Sequence, residues 1–352
     1  MEYEMSERKL ATVRRIDTLD PIEGADKIEV ANIGGWKVVC QKGLYTPGDL
    51  AMYFEIDSWI PNEVATFLTK PGQYPKVYEG IEGQRLKTIK LRGQISQGLL
   101  IPLSEIAKFG PEEGFGFHTE VSWEEGSDWT EALGIKKWEK PIPACLSGIS
   151  RGSFPSLIPK TDQERVQNLT KYLPKYIGSS FEVTEKLEGS SMTCYVLNGE
   201  FGVCSRNLNL LQDENNAFWK VALRDNIGEK MLARQYDFAI QGELVGPGIQ
   251  GNIYKLSDLE FYVFDIYDPK DGEYMSPHNR RVLVESLGLK HVPVLDECFF
   301  LEEGDTIDSL LKDAEGKSKL YGTEREGIVF KQEYGDFTFK AISNNYLLKS
   351  GE

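Results

Sequence analysis

The 352-residue chain is short of histidine, of positive charge and of long apolar runs. No stretch approaches the roughly 18 consecutive apolar residues of a membrane span, so no membrane-crossing helix is expected. Three histidines (His118, His278, His291) form no H-E-x-x-H pattern and no pair at ligand spacing, which sets aside zinc hydrolysis and a Ser-His-Asp triad. The five cysteines (Cys40, Cys145, Cys194, Cys204, Cys298) are odd in number, scattered and never arranged C-x-x-C. Reduced thiols of a cytoplasmic protein fit them better than a disulfide framework or a zinc site. The acidic, polar start MEYEMSERKL has no signal-peptide character. Basic residues number 40 against 55 acidic ones, a net charge of -15. That balance argues against loose, charge-driven binding to nucleic acid or anionic membrane, while leaving room for a local basic groove.

What is present is an ordinary globular composition, 40% hydrophobic and 27% charged, long enough for two domains with separate cores. Short apolar runs alternate with turn signals over residues 10–60: Lys27 to Ile33, Gly34-Gly35, Trp36 to Cys40, Pro47-Gly48-Asp49, then Leu50 to Ile56. Such spacing predicts a small β-barrel or sandwich. Pro61 to Tyr78 reads as loop, and Arg85 to Leu100 as a further β-segment. From Leu68 to Lys108 seven basic residues face three acidic ones, whereas Glu112 to Glu131 holds seven acids and no Lys or Arg, as a solvated loop does. The Pro-rich stretch Pro141 to Pro159 reads as a linker, and Thr161-Asp162-Gln163-Glu164 has the form of a capping box opening a short helix. A boundary near residue 160 gives domains 1–160 and 161–352, with net charges of -4 and -11.

In the second part, Phe181 to Thr184, Met192 to Leu197, Phe201 to Cys204, Phe238 to Leu244, Phe261 to Tyr267 and Gly327 to Phe330 read as strands. Asn215 to Gln235 fits one amphipathic helix, and Ser276-Pro277 opens another that Gly288 ends. Strands and helices do not alternate strictly, which predicts an α+β domain.

Lysine followed three positions later by glycine is the local pattern of a nucleotidyl-accepting lysine, and it recurs at Lys90, Lys186 and Lys319. By itself the pattern is uninformative. Lys186 stands apart because it lies between two apolar strands, followed by Gly189-Ser190-Ser191. That places an ammonium at a strand end beside small residues that let a nucleotide approach the backbone. A lysine that attacks phosphorus must first lose its proton, which calls for desolvation or neighbouring cations.

In order, the second domain gives Lys186 in EKLEGSS, Arg206 in CSRN, Glu243 in GELVGPGIQGN, Phe264 in FYVFD, Glu326 and Lys331 in EGIVFK, and Lys340 in FKAIS. Phe181 to Ser343 thereby resembles the adenylyltransferase domain of ATP-dependent RNA ligases, in the covalent nucleotidyltransferase superfamily. The N-terminal part, with Leu91-Arg92-Gly93-x-x-Ser96-Gln97-Gly98-Leu99, resembles the OB-fold module preceding that domain in one clade of RNA ligases. The fold implied is an N-terminal OB-fold β-barrel followed by an α+β, ATP-grasp-like nucleotidyltransferase domain.

The resemblance also implies roles. Lys186 would attack the α-phosphate of ATP and hold AMP; Arg206 would contact ribose or the RNA 5′-phosphate, as a planar donor fork suits. Phe264 would stack on adenine, although the alternation around it is equally that of a core strand. Glu243 and Glu326 would bind ribose or a Mg²⁺ or Mn²⁺ ion. Lys331 and Lys340 would stabilise charge on the α-phosphate and, with Arg206, depress the Lys186 pKa. Glu185, Leu187 and Glu188 complete the expected nucleotide contacts, with Glu188 where many ligases carry Asp. Arg85, Lys87, Lys90 and Arg92 are the candidate nucleic-acid contacts, with a solvated β-face as their other reading; Trp36, Tyr45 and Trp59 suit core packing better than base stacking.

Two departures stand out. Many relatives end on K-x-K, whereas Lys340-Ala341-Ile342 offers one lysine, and no C-terminal OB domain is expected after it. The expected activity is joining of RNA 3′-OH and 5′-phosphate ends, at nicks in duplexes or hybrids, by a monomer. A ligase with DNA as a major substrate, and a non-catalytic OB-type RNA-binding protein, remain open.

Overall fold

The computed structural model describes residues 8–109, 123–139 and 149–350. His118, Cys145, part of the acidic tract and the first half of the Pro-rich stretch lie outside them. Two compact units emerge, and the chain passes between them more than once. Residues 166–170 and the helix Asn344–Ser350 cluster with the N-terminal module, and 149–165 with the unit that runs on to Ser343.

In the N-terminal module, Leu50–Phe54 lies between Ala11–Arg15 and Leu99–Pro102, both antiparallel to it. A meander of Thr18–Pro21, Ile28–Ile33 and Trp36–Gln41 and a sheet ordered Lys136–Lys137, Ser58–Pro61, Ile81–Arg85, Lys76–Tyr78 complete the main sheets. The core is built from Ala11, Val13, Met52, Phe54, Ile60, Ile101 and Ile135. Pro61 to Tyr78, read as loop, contains a 3₁₀ turn, Thr66–Leu68, and the edge strand Lys76–Tyr78. Asn168 fastens the returning segment: its Oδ1 accepts from Trp36 Nε1 at 2.7 Å and Arg14 Nη2 at 3.1 Å, and its Nδ2 donates to Glu55 at 3.0 Å.

The second unit contains two sheets. One is ordered Glu164–Arg165, Thr338–Ile342, Gly327–Gln332, Ser180–Lys186, Val294–Phe300; only the first pairing is parallel. The other runs Ser150–Ser153, Leu208–Leu210, Glu200–Cys204, Ser190–Leu197, Phe238–Val245, Glu260–Asp268, Glu273–Tyr274. One of its faces carries a core of Met192, Cys194, Val203, Phe238, Ile240 and Val263 under Phe218, Val221, Ile227 and Met231.

Three local expectations change. The single helix over 215–235 is two, Ala217–Arg224 and Ile227–Leu232, because Asn226 takes a left-handed conformation (φ 52°) that asparagine tolerates better than most residues. Within the Pro-rich stretch, Ser150–Ser153 pairs with Leu208–Leu210 as an edge strand. The Thr161 capping box opens no helix; Glu164–Arg165 is a strand beside Thr338–Ile342, and Asp162 is drawn to two cations. The second helix does start on Ser276, whose side chain accepts from Asn279 N, and spans Pro277–Ser286 before Gly288 (φ 59°).

Candidate active site

Lys186 ends its strand opposite Gly327. A Cβ on Gly327 would lie 2.3 Å from the carbonyl oxygen of Ala341, so glycine lets the neighbouring strand close here. Glu326, one residue earlier, accepts from Lys186 Nζ at 2.6 Å. Directly paired residues share a sheet face. The register therefore puts Lys186, Thr184 and Glu182 on one face with Val329, Lys331, Lys340 and Thr338. On the opposite face Phe181, Phe330 and Phe339 pack with centroids 4.5 to 6.4 Å apart.

Glu243 comes from the second sheet, paired with Ser191 and Tyr262. At Gly189 a Cβ would meet Leu244 O at 2.4 Å and Glu243 Cγ at 2.8 Å; the absent side chain is what brings the turn after Lys186 against Glu243. Arg206 and Lys340 converge on Asp162, Arg206 Nη2 lying 3.2 Å from Oδ2 and Lys340 Nζ 2.7 Å from Oδ1.

These partners reverse the expected electrostatics of Lys186. Burial lowers its pKa, but Glu326, Glu243 and Asp162 together hold it above the ordinary lysine value. Arg206 and Lys340, expected to depress it, are themselves paired with Asp162. Glu243 is raised as well, up to about 8, by burial and by Glu326, against the attraction of Lys186 and Arg206. The arrangement is a protonated lysine clasped by carboxylates, beside a carboxylate that bridges two cations.

Lys331 departs from the expectation that it would join Lys340 on one anion. It is buried, and its Nζ donates to the Phe264 carbonyl at 2.5 Å and to Asp265 Oδ1 at 2.6 Å, 5.4 Å from the Phe264 ring centroid. Burial, with Arg280 nearby, lowers its pKa to about 8. Arg280 is buried too; it donates to Glu182 and, through Nε, to His291 Nε2 at 3.0 Å. Phe264 is the extra residue of a β-bulge, since Gln241 pairs with Asp265 and Gly242 with Val263. Its half-buried ring packs on Leu187, Tyr254 and Tyr262. Glu185 is buried away from Lys186, on the opposite sheet face, where its Oε2 accepts from Lys319 N at 2.8 Å. Leu187 is likewise buried, and Glu188 presents its backbone N–H to Tyr254 Oη at 2.6 Å. Glu185 and Leu187 are therefore buried rather than part of the site's polar lining.

A family model described as RNA ligase matches residues 179–342, and a model of an OB-fold domain matches 10–103. No curated protein matches the chain. Among solved structures, a lysine-to-alanine variant of the Naegleria gruberi RNA ligase with ATP and Mn is 43% identical over 96% of this chain and 98% of that one, with a TM-score of 0.87. The same ligase with PPi is 42% identical over 97% and 98%, TM-score 0.87. A glutamate-to-alanine variant of it with AMP and Mn is 43% identical over 97% and 98%, TM-score 0.87. The chain belongs to the RNA ligase family.

In this RNA ligase the four candidate nucleic-acid contacts of the OB module separate. Arg85 is turned inward: its Nη2 donates to Asp57 at 2.8 Å, its guanidinium lies 3.6 Å from the Trp138 ring centroid, and its side chain is 9% exposed. It is a structural cation, contrary to the expected phosphate contact. Lys87, Lys90 and Arg92 are exposed. Arg92 (φ 50°) and Gly93 (φ 84°) form the two-residue turn of the hairpin Ile89–Leu91/Gln94–Ser96, as a primed turn requires. Gln97 ties the base of that hairpin down: its carbonyl accepts from Tyr53 Oη at 3.0 Å, and its Nε2 donates to Asn344 at 3.1 Å. Trp36, Tyr45 and Trp59 are buried, as core residues. Sequence reasoning missed Asp162, Asp265 and Arg280. Asp162 carried no signal of its own, because it read as part of the Thr161 capping box.

Proposed function

We propose that this RNA ligase joins RNA 3′-OH and 5′-phosphate ends at nicks in duplexes, using ATP and Mg²⁺ or Mn²⁺. The observation that carries the reading is Lys186 at a strand end, clasped by Glu326 and faced by Glu243, with Lys340 and Arg206 converging next to it. Relatives solved with ATP, AMP, PPi and Mn support it. In the first step Lys186 releases a proton to solvent, its Nζ lone pair attacks the α-phosphorus, the bond to the bridging oxygen breaks and pyrophosphate departs, leaving a lysyl-AMP phosphoramidate. AMP then passes to the RNA 5′-phosphate, and the 3′-OH displaces it. Lys340 and Arg206 supply positive charge to phosphate oxygens, and Phe264 presents its ring to adenine.

Among the described residues no three His, Cys, Asp or Glu side chains form a metal cage. Glu243 and Glu326 with nucleotide phosphates match how Mg²⁺ is ordinarily held, by one or two carboxylates plus substrate. When bound, the ion would neutralise the triphosphate and the carboxylates that keep Lys186 protonated. Lys87, Lys90 and Arg92 are the OB module's own RNA contacts. Among the described residues no helix is long and apolar enough to cross a membrane. The described cysteines, Cys40, Cys194, Cys204 and Cys298, are free thiols, and on that ground we place the protein inside the cell.

The test is ATP labelled at the α-phosphate with a divalent metal. The wild type becomes covalently labelled and Lys186→Ala does not; absence of label, or label retained by the variant, would sink the reading. Nicked duplexes with RNA or DNA on each side of the break then decide between an RNA-specific ligase and one with DNA as a major substrate.

A further inference from the structure

We propose that Asp162 is a built-in phosphate surrogate: in the nucleotide-free enzyme its carboxylate occupies the anion position between Lys340 and Arg206, and the incoming nucleotide phosphate must displace it. The inference rests on the nucleotide-binding reading above.

Three observations carry it. Each carboxylate oxygen takes one cation, Oδ1 from Lys340 at 2.7 Å and Oδ2 from Arg206 at 3.2 Å, which is how two non-bridging oxygens of a phosphate would be received. The two cations come from distant parts of the chain, one from a strand of the first sheet and the other from the turn after Glu200–Cys204 of the second. Asp162 therefore ties the two cations together before any ligand arrives. Asp162 itself lies in a non-helical segment ahead of the short strand Glu164–Arg165, with its side chain 25% exposed, so it can swing away without breaking a helix or opening the core.

A carboxylate that only props up Lys340 and Arg206 would assist anion binding, and its removal would weaken it. A surrogate competes with the anion, and its removal strengthens binding. The sign of the effect separates the two roles. Asp162 is thus a positioning residue, holding the phosphate-binding cations together while limiting affinity for product nucleotide.

The probe is AMP without divalent metal, titrated by calorimetry into the full-length chain. Asp162→Asn, close in size, and Asp162→Ser, smaller, are each expected to bind AMP about 3- to 10-fold more tightly than wild type, a tenfold change corresponding to about 1.4 kcal/mol. Asp162→Glu restores the charge and is expected to return affinity toward the wild-type value. In lysine adenylylation the KM for ATP should fall in Asp162→Asn. Unchanged or weaker AMP binding in both neutral variants would overturn the proposal. The ligase reading fails separately, by absence of covalent label in the wild type. Tighter AMP binding in the variants of an unlabelled enzyme would keep the surrogate and discard the ligase.

Discussion

The catalytic unit and the OB module use basic residues in opposite ways. Lys186, Arg206 and Lys340 are far apart in sequence, yet strand register and two close glycine contacts bring them to one cluster with Glu326, Glu243 and Asp162. Arg85, Lys87, Lys90 and Arg92 are almost contiguous, yet Arg85 turns in to Asp57 and Trp138 while the others face solvent. Dispersed motif positions keep a common role because hydrogen-bond register fixes which face each occupies. Contiguous charge carries no such guarantee: Arg85 ends one strand, Lys87 follows it outside any strand, and Lys90 and Arg92 belong to the next hairpin.

The largest expected effect tests that contrast directly. Lys340→Ala should slow lysine adenylylation by about 10²- to 10³-fold, the loss typical of removing one preorganised donor from a developing charge. The double variant Lys90→Ala/Arg92→Ala should leave adenylylation at the wild-type rate and impair only sealing of nicked RNA. Single-turnover labelling with α-phosphate-labelled ATP measures the first, and a ligation time course the second. Equal losses in adenylylation would erase the distinction between the two regions.

A smaller effect separates residues within the OB module. Arg85→Ala should cost about 1–3 kcal/mol of stability, through the lost pair with Asp57 and the lost stacking on Trp138. It should leave the salt dependence of nicked-duplex binding unaltered. Lys90→Ala/Arg92→Ala should do the reverse, leaving Tm within a degree or so while lowering the slope of log Kd against log salt by about 1–2. Thermal melts and binding isotherms at several salt concentrations check both. An Arg85→Ala variant with a reduced salt slope and an unchanged Tm would restore Arg85 as a phosphate contact.

How much of this was legible beforehand follows the same division. The strands around Lys186, Glu243 and Glu326, the α+β class and the cap on Ser276 all follow from periodicity and punctuation, because each is decided within a few residues. The pairing states of the charges do not. Lys331 and Lys340 look alike in sequence, one ending EGIVFK and the other in FKAIS, and only the course of neighbouring chain decides that one is sealed against Asp265 and the other meets Asp162. The expectation that cations depress the Lys186 pKa failed for this reason. Counting Arg206, Lys331 and Lys340 as a free field ignored the carboxylates that tertiary contacts bring to each of them. The helix break at Asn226 is intermediate: Asp225-Asn226 is a visible turn signal inside an otherwise continuous apolar period.

A pH-dependent effect concerns Glu243, where the two sheets of the catalytic unit bring their carboxylates together. Burial and the Glu326 charge raise its pKa from 4.5 to about 8, so between those values the folded protein holds a proton that the unfolded chain releases. Bound protons favour the state that binds more of them, so this site's contribution to stability is fully present below about pH 4.5 and is lost as pH rises toward 8. Glu243→Gln carries no titratable proton and escapes the loss. Its Tm relative to wild type should therefore climb steadily between pH 5 and pH 8, by about 2–4 °C for each kcal/mol relieved in a domain of this size. The melts are run without nucleotide and metal. Repeating them with ATP and Mg²⁺ should close the gap, because the ionised carboxylate then gains the partner it lacks. A Tm difference that stays flat across that range would mean that Glu243 is already ionised at acid pH and that Lys186 alone satisfies it, and the carboxylate cluster would then need no metal to be stable at neutral pH.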